Sequence, residues 1–161
     1  MLNAAGVEAF NKKIIAASPT VYDMAAYPKT LSGKTVTAYV NTHTDLSDEL
    51  YREGKLVSDN YKNILRSQTN AAAIPAEVTV RYGVTVRRAN LRNLPTGEGL
   101  FFYASDRNFD ALQETALDPG EAVAILHTST NGYFYYVQAY NYRGWLSKFD
   151  VAETDRSTWL R

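Results

Sequence analysis

Ala122-Val123-Ala124-Ile125-Leu126-His127-Thr128-Ser129 and, across Thr130-Asn131-Gly132, Tyr133-Phe134-Tyr135-Tyr136-Val137-Gln138-Ala139-Tyr140 decide the fold of this 161-residue chain. The first run is apolar and largely β-compatible, and it follows the turn signal Asp118-Pro119-Gly120. Asn131-Gly132 is the strongest short hairpin signal in the chain, because a type I′ turn needs positive φ at both central residues and this pair tolerates it. The second run is then the return strand. Alternation along it sends Tyr133 and Tyr135 to the side of Val137 and Ala139, and Phe134 and Tyr136 to the side of Gln138 and Tyr140.

The same period extends outward. Val78, Val80 and Tyr82 point one way with Thr79 and Arg81 the other, and Gly144-Trp145-Leu146 opens what reads as the last strand. Several short strands with tight turns over about 75 residues suit a small closed or half-closed barrel better than an open sheet. Before Pro75 the period is helical. Val7, Phe10 and Ile14 fall on one helix face, with Ile15 beside them, and Ser18-Pro19 ends that helix. Ser32 is placed to cap a second helix carrying Val36, Tyr39 and Val40, and Ser58 a third carrying Tyr61, Ile64 and Leu65. Between them, Asp45 or Ser47 starts a short turn through Leu50 and Tyr51 that Gly54 ends. Helices below about 12 residues are marginal alone, so these must pack on the strands.

The expectation is therefore an α+β chain. It has an N-terminal segment of short helices at 1–76, a small β-barrel at 77–152, and a tail at 153–161.

Seventeen basic and seventeen acidic side chains cancel. No net field is available for holding a phosphate backbone by counterion release, which argues against nucleic acid as a partner. Short basic clusters such as Arg87-Arg88 and Lys12-Lys13 read as solvated faces. The chain has no cysteine, so disulfides, thiolate metal sites and a cysteine nucleophile are excluded. Residues 1–18 lack the basic-then-apolar order of a signal peptide, and no apolar run approaches the roughly 18 residues of a membrane span. No cofactor or metal site is expected.

Arg88-Ala89-Asn90-Leu91-Arg92, Leu94-Pro95-Thr96, Phe109-Asp110, Gln113-Glu114-Thr115 and Asn141-Tyr142-Arg143-Gly144-Trp145 occur in this order. Together they resemble the bacterial SH3-like domain, SH3b1 type, that precedes the catalytic domain of NlpC/P60 cell-wall cysteine peptidases. The helical part, through Gly6-Val7-Glu8-Ala9-Phe10-Asn11 and Leu31-Ser32-Gly33-Lys34, is similar to the N-terminal stabilising segment of those peptidases, and the resemblance implies that the 77–152 barrel is SH3-like and that 153–161 starts a linker to a following domain. The resemblance implies part of an exported hydrolase, or a truncated homologue, acting on γ-D-glutamyl-diamino acid bonds of peptidoglycan stem peptides in the cell envelope. The nucleophile and its histidine partners belong to a domain outside this chain, so no catalytic residue carries over. The implied function is a non-catalytic module that recognises or positions a stem peptide, or that supports a downstream catalytic domain. The competing expectation is a freestanding peptidoglycan- or peptide-binding protein.

Asp106, Asp110 and Glu114 recur every four residues, so on a helical turn they line one side while Phe109 and Leu112 face the barrel. Such a wall suits an ammonium group, and the resemblance implies an acidic residue and a tyrosine at one end of a peptidase groove. The alternative is that one carboxylate caps a turn and the others are solvated. The face carrying Tyr136 and Tyr140, with Tyr142 and Trp145 nearby, meets the N-terminal helices, a further domain or a ligand; Trp145 reads equally as a buried strand anchor. Arg92 and Thr96 bracket Leu94-Pro95 and either clamp a carboxylate or pin the loop. His43 and His127 stand in unrelated elements and read as structural.

Overall fold

A computed structural model describes residues 3–18, 20–42 and 46–159. Expectations for His43, Asp45 and Pro19 lie outside these residues. Three α-helices, α1 (Ala4–Ala17), α2 (Gly33–Val40) and α3 (Asp59–Ser67), precede most of the strands. Each starts where a side chain accepts an otherwise orphaned backbone N–H: Asn3 from Gly6, Ser32 from Thr35 and Ser58 from Tyr61.

Strands run through the N-terminal part as well, where the sequence reads only helices and loops. β1 (Thr30–Ser32) pairs antiparallel with β4 (Glu77–Thr79), placing Leu31 opposite Val78. β2 (Tyr51–Arg52) and β3 (Lys55–Leu56) form a tight hairpin where the sequence reads a short turn ended by Gly54. Glu53 and Gly54 have φ of 52° and 81°, the two positive values of a type I′ turn. The hairpin expected to carry that turn closes differently. Gly132 is left-handed with φ 73°, whereas Asn131 is not among the positive-φ residues. Gly132 N donates to Ser129 O at 2.9 Å, giving a longer loop between the strands.

The main sheet contains β5 (Arg81–Thr85), β6 (Ala89–Arg92), β7 (Gln113–Leu117), β8 (Ala122–Thr128), β9 (Phe134–Gln138), β10 (Arg143–Ser147) and β11 (Val151–Thr154). Their order is β11-β5-β8-β9-β10-β6-β7, all antiparallel. β11 is one strand more than the sequence reading allows. Leu117 of β7 and Val151 of β11, from the two edges, share one core with Leu91, Ile125, Val137 and Leu146. The sheet therefore wraps around that core as a half-closed barrel.

Its other face is also dry. Val80, Tyr82, Leu126, Tyr136 and Trp145 pack against Met24, Tyr27, Val36 and Val40 of the N-terminal segment. A strand with both faces buried reads as a continuous apolar run, which is the pattern of 122–126 and 134–139. Trp159 joins this core, its Nε1 donating to Gly83 O at 2.8 Å, so the fold grips the chain beyond 153. A third core joins Leu50, Val57 and Leu65 to Leu94, Leu100 and Leu112 of the long β6–β7 loop. Here α3 departs from its apolar pattern. Lys62 is buried and donates to Asp48 O at 2.7 Å, while Ile64 faces out.

α1 forms as its period predicts, but none of its residues is buried. Val7, Phe10 and Ile14 remain exposed on its surface.

Candidate functional site

The β9–β10 turn brings two of the expected site residues to the surface together. Tyr140 is 51% exposed and Tyr142 42%. Ala139 N donates to Tyr142 O at 2.8 Å, and Gln138 Nε2 donates to the carbonyls of Ala139 and Tyr142 at 2.8 and 3.0 Å. The turn is docked on the N-terminal segment through Tyr22 N, which donates to Tyr140 O at 2.7 Å. Two cavities adjoin here. One, about 380 Å³, lies between α1 and the turn and is lined by Ile14, Ile15, Val21, Tyr22 and Tyr140. The other, about 110 Å³, is lined by Thr20, Tyr22, Gln138, Asn141, Tyr142 and Arg143.

Arg143 anchors the floor of the smaller cavity. Its Nε donates to Gln138 Oε1 at 2.6 Å and its Nη2 to Tyr22 Oη at 2.9 Å. Its guanidinium carbon stands 3.3 Å from the centre of the Tyr39 ring, a cation–π stack. Burial raises the pKa of Tyr39, an effect the Arg143 charge opposes. The hydroxyls of Tyr27 and Tyr136 are likewise pushed well above 10 by burial, again against the pull of Arg143. These tyrosines are neutral hydrogen-bonding groups, not acids at neutral pH.

Tyr136 and Trp145 do not share the exposed surface. They are 4% and 0% exposed, with rings edge-on at 5.1 Å, and Tyr136 Oη donates to Tyr39 O at 2.7 Å. Alternation puts Tyr136 and Tyr140 on one side of the strand, but Tyr136 is buried against Val36 and Val40 of α2 while Tyr140, at the turn, is exposed. The face expected to meet helices, a further domain or a ligand meets the helices. Trp145 is a strand anchor.

The three carboxylates do not form a wall. Residues 101–112 are an irregular loop, not a helix, because Asp106 and Asp110 bond the backbone instead of leaving it to form helical turns. Asp106 Oδ1 accepts from Asn108 N and Phe109 N at 2.8 and 3.3 Å, and those bonds, the one from Asn108 foremost, hold its pKa below the usual carboxylate range. Asp110 Oδ1 accepts from Leu100 N and Leu112 N at 3.1 and 3.0 Å. Its Oδ2 lies 2.7 Å from Arg92 Nη1 in an ion pair that is nearly buried. Glu114 sits on β7 and accepts from Asn93 Nδ2 at 3.1 Å. Leu112 is buried as expected, whereas Phe109 is 78% exposed, having lost the helical turn that would have carried it inward.

Arg92 resolves in favour of the loop: its Nη2 donates to Glu98 O at 2.6 Å, and Thr96 Oγ1 accepts from Glu98 N at 3.1 Å. Arg52 and Tyr61 both donate to the Glu98 carboxylate, tying the β2–β3 hairpin and α3 to the same loop. His127 Nε2 is 3.0 Å from Asn70 O, and burial lowers its pKa. Among the described residues no group of three or more acidic or histidine side chains is placed to hold a metal ion, and no helix is long and apolar enough to cross a membrane.

A family model described as SH3 domain (SH3b1 type) matches residues 100–147, from within the long loop through β10. Among solved structures, the chain is similar to an NlpC/P60 endopeptidase from Photobacterium damselae subsp. piscicida, with a TM-score of 0.66 and 18% identity. That match covers 97% of this chain and 38% of the endopeptidase chain. No curated protein matches. Residues 100–147 therefore match an SH3b1-type SH3 domain, and the fold of the chain is like that of part of the endopeptidase.

Arg143, Tyr22, Tyr39 and Gln138 are absent from the sequence-derived site. Arg143 stands inside a quoted motif block, yet nothing local marks it, since its partners are up to 121 positions away.

Proposed function

We propose that this chain is a non-catalytic cell-wall module that binds peptidoglycan stem peptides and positions them for an NlpC/P60-type γ-D-glutamyl-diamino acid endopeptidase domain. The observation that carries this reading is the fold likeness of 97% of the chain to 38% of an NlpC/P60 endopeptidase, with an SH3b1-type match inside the same region. The chain has no thiol, so the cysteine nucleophile of such a peptidase does not come from these residues. The place of action is the cell envelope. The contacts assigned to the peptide are Tyr140 and Tyr142, whose rings offer flat apolar area with a hydroxyl at the edge. Glu114 is a further candidate because it is the exposed one of the carboxylates not committed to backbone N–H groups. Asp106, Asp110, Tyr136 and Trp145 support the fold in this account.

Co-sedimentation with purified peptidoglycan tests the reading. The chain is expected in the pellet, displaced by soluble stem peptides, with Tyr140→Ala/Tyr142→Ala shifting it to the supernatant. A chain that stays soluble at all loads sinks the proposal. Binding without any gain in cleavage, when the chain is fused to an NlpC/P60 catalytic domain, favours a freestanding binder.

A further inference from the structure

Buried Arg92 is paired with the Asp110 carboxylate, and the more exposed Arg81 with Glu153. Arg143 has none. It contacts a glutamine oxygen, a tyrosine hydroxyl and the Tyr39 ring. A guanidinium has five N–H donors, so about three remain without a partner among the described residues. Arg143 is also immobilised, since Gln138 is itself tied to the turn by two bonds and Tyr39 by the hydroxyl of Tyr136. A fixed, half-buried cation with spare donors, lining a small cavity, is a ready complement for a carboxylate.

We infer that Arg143 binds the terminal carboxylate of a short peptide, whose last, apolar side chain lies in the adjoining cavity between α1 and the turn. The smaller cavity, about 110 Å³, has room for a carboxylate with one or two waters, given about 30 Å³ per water. The larger, about 380 Å³, is walled by Ile14, Ile15 and Val21 and falls within the range of small-ligand sites. Tyr22 borders both, so one ligand can span them. Tyr140 lines the larger cavity and Tyr142 the smaller. Charge complementarity selects the acid over a neutral ligand, and the apolar wall selects against a charged last residue. For the class of ligand this deepens the stem-peptide reading and rests on it, but the chemistry at Arg143 is tested separately.

The probe is acetyl-Ala-Leu with a free carboxylate, compared with its C-terminal amide, followed by amide-resonance shifts of the full chain. The acid is expected to shift Tyr22, Asn141, Tyr142 and Arg143 saturably, and the amide to bind at least tenfold more weakly. Arg143→Lys keeps the charge but loses the fork, and is expected to weaken the acid several-fold. Ile14→Asp, on the exposed side of α1 and remote from the hydrogen-bond network, is expected to weaken it at least fivefold while thermal unfolding stays unchanged. Equal binding of acid and amide overturns the inference. So does the absence of saturable shifts up to about 10 mM, where a Kd near 1 mM would be almost saturated. Loss of discrimination in a chain that still sediments with peptidoglycan overturns this site alone. Discrimination in a chain that does not sediment keeps the carboxylate site and overturns the cell-wall reading.

Discussion

The long β6–β7 loop and the β9–β10 turn are both held by an arginine, and the two arginines are used differently. Arg92 on the loop side is matched to Asp110, and Glu98 beside it is matched to Arg52 and Tyr61. Arg143 on the turn side leans on neutral oxygens and a ring. Matched charges close a structure. A fixed cation without a counter-charge leaves donors available for something outside the chain. The loop, although it carries most of the acidic residues that stand out in the sequence, is therefore architecture, and the turn is the better place for recognition.

Breaking the match on the loop side should have the largest effect. Asp110→Ala strands the nearly buried Arg92 and frees Leu100 N and Leu112 N, and a stability loss of about 3–5 kcal/mol is expected by urea unfolding. Replacing both partners with apolar residues, as in Arg92→Met/Asp110→Leu, should recover part of that loss. An Asp110→Ala variant as stable as the parent would mean that the loop does not depend on its ion pair.

On the turn side the corresponding removal should cost less. Arg143→Met leaves no buried charge behind, and about 1–2 kcal/mol is expected from the two lost hydrogen bonds. A loss as large as that of Asp110→Ala would erase the contrast between the regions. Tyr136→Phe, which removes only the hydroxyl bond to Tyr39 O, should cost about 1 kcal/mol. It should also change the alkaline limb. The Tyr136 pKa is raised above its unfolded value near 10, so its contribution is fully present below pH 10 and is lost as pH rises past it. Stability profiles between pH 8 and 11 should therefore fall more gently in the phenylalanine variant. The smallest effect belongs to Glu98→Gln, whose partners are half exposed: the urea midpoint should hardly move.

Much of this contrast is invisible in the sequence for a physical reason. The caps at Ser32 and Ser58 and the alternation of Val78, Val80 and Tyr82 are local, and the structure follows them. The place of the Asn131-Gly132 hairpin is legible too, though its turn type is not. The type I′ turn falls instead at Glu53-Gly54, where glutamate is a poor predictor of positive φ and the pairing of Tyr51 with Phe101 of the distant loop helps to hold the hairpin. The four-residue spacing of Asp106, Asp110 and Glu114 mimics a helix face, but short acidic side chains bond nearby N–H groups and defeat the helix that the spacing assumes. Tyr140 and Tyr142 are readable as aromatic surface. Arg143 is not readable, because what distinguishes it is a partner it lacks in three dimensions.

The turn side of the barrel is, in the proposal above, a binding surface for cell-wall peptide. Co-sedimentation of the parent chain and of Tyr140→Ala/Tyr142→Ala with purified peptidoglycan, with thermal unfolding of both as a control, tests this most directly. The parent should pellet, and the equally folded double variant should stay in solution. Equal pelleting of the two, or of neither, would contradict it.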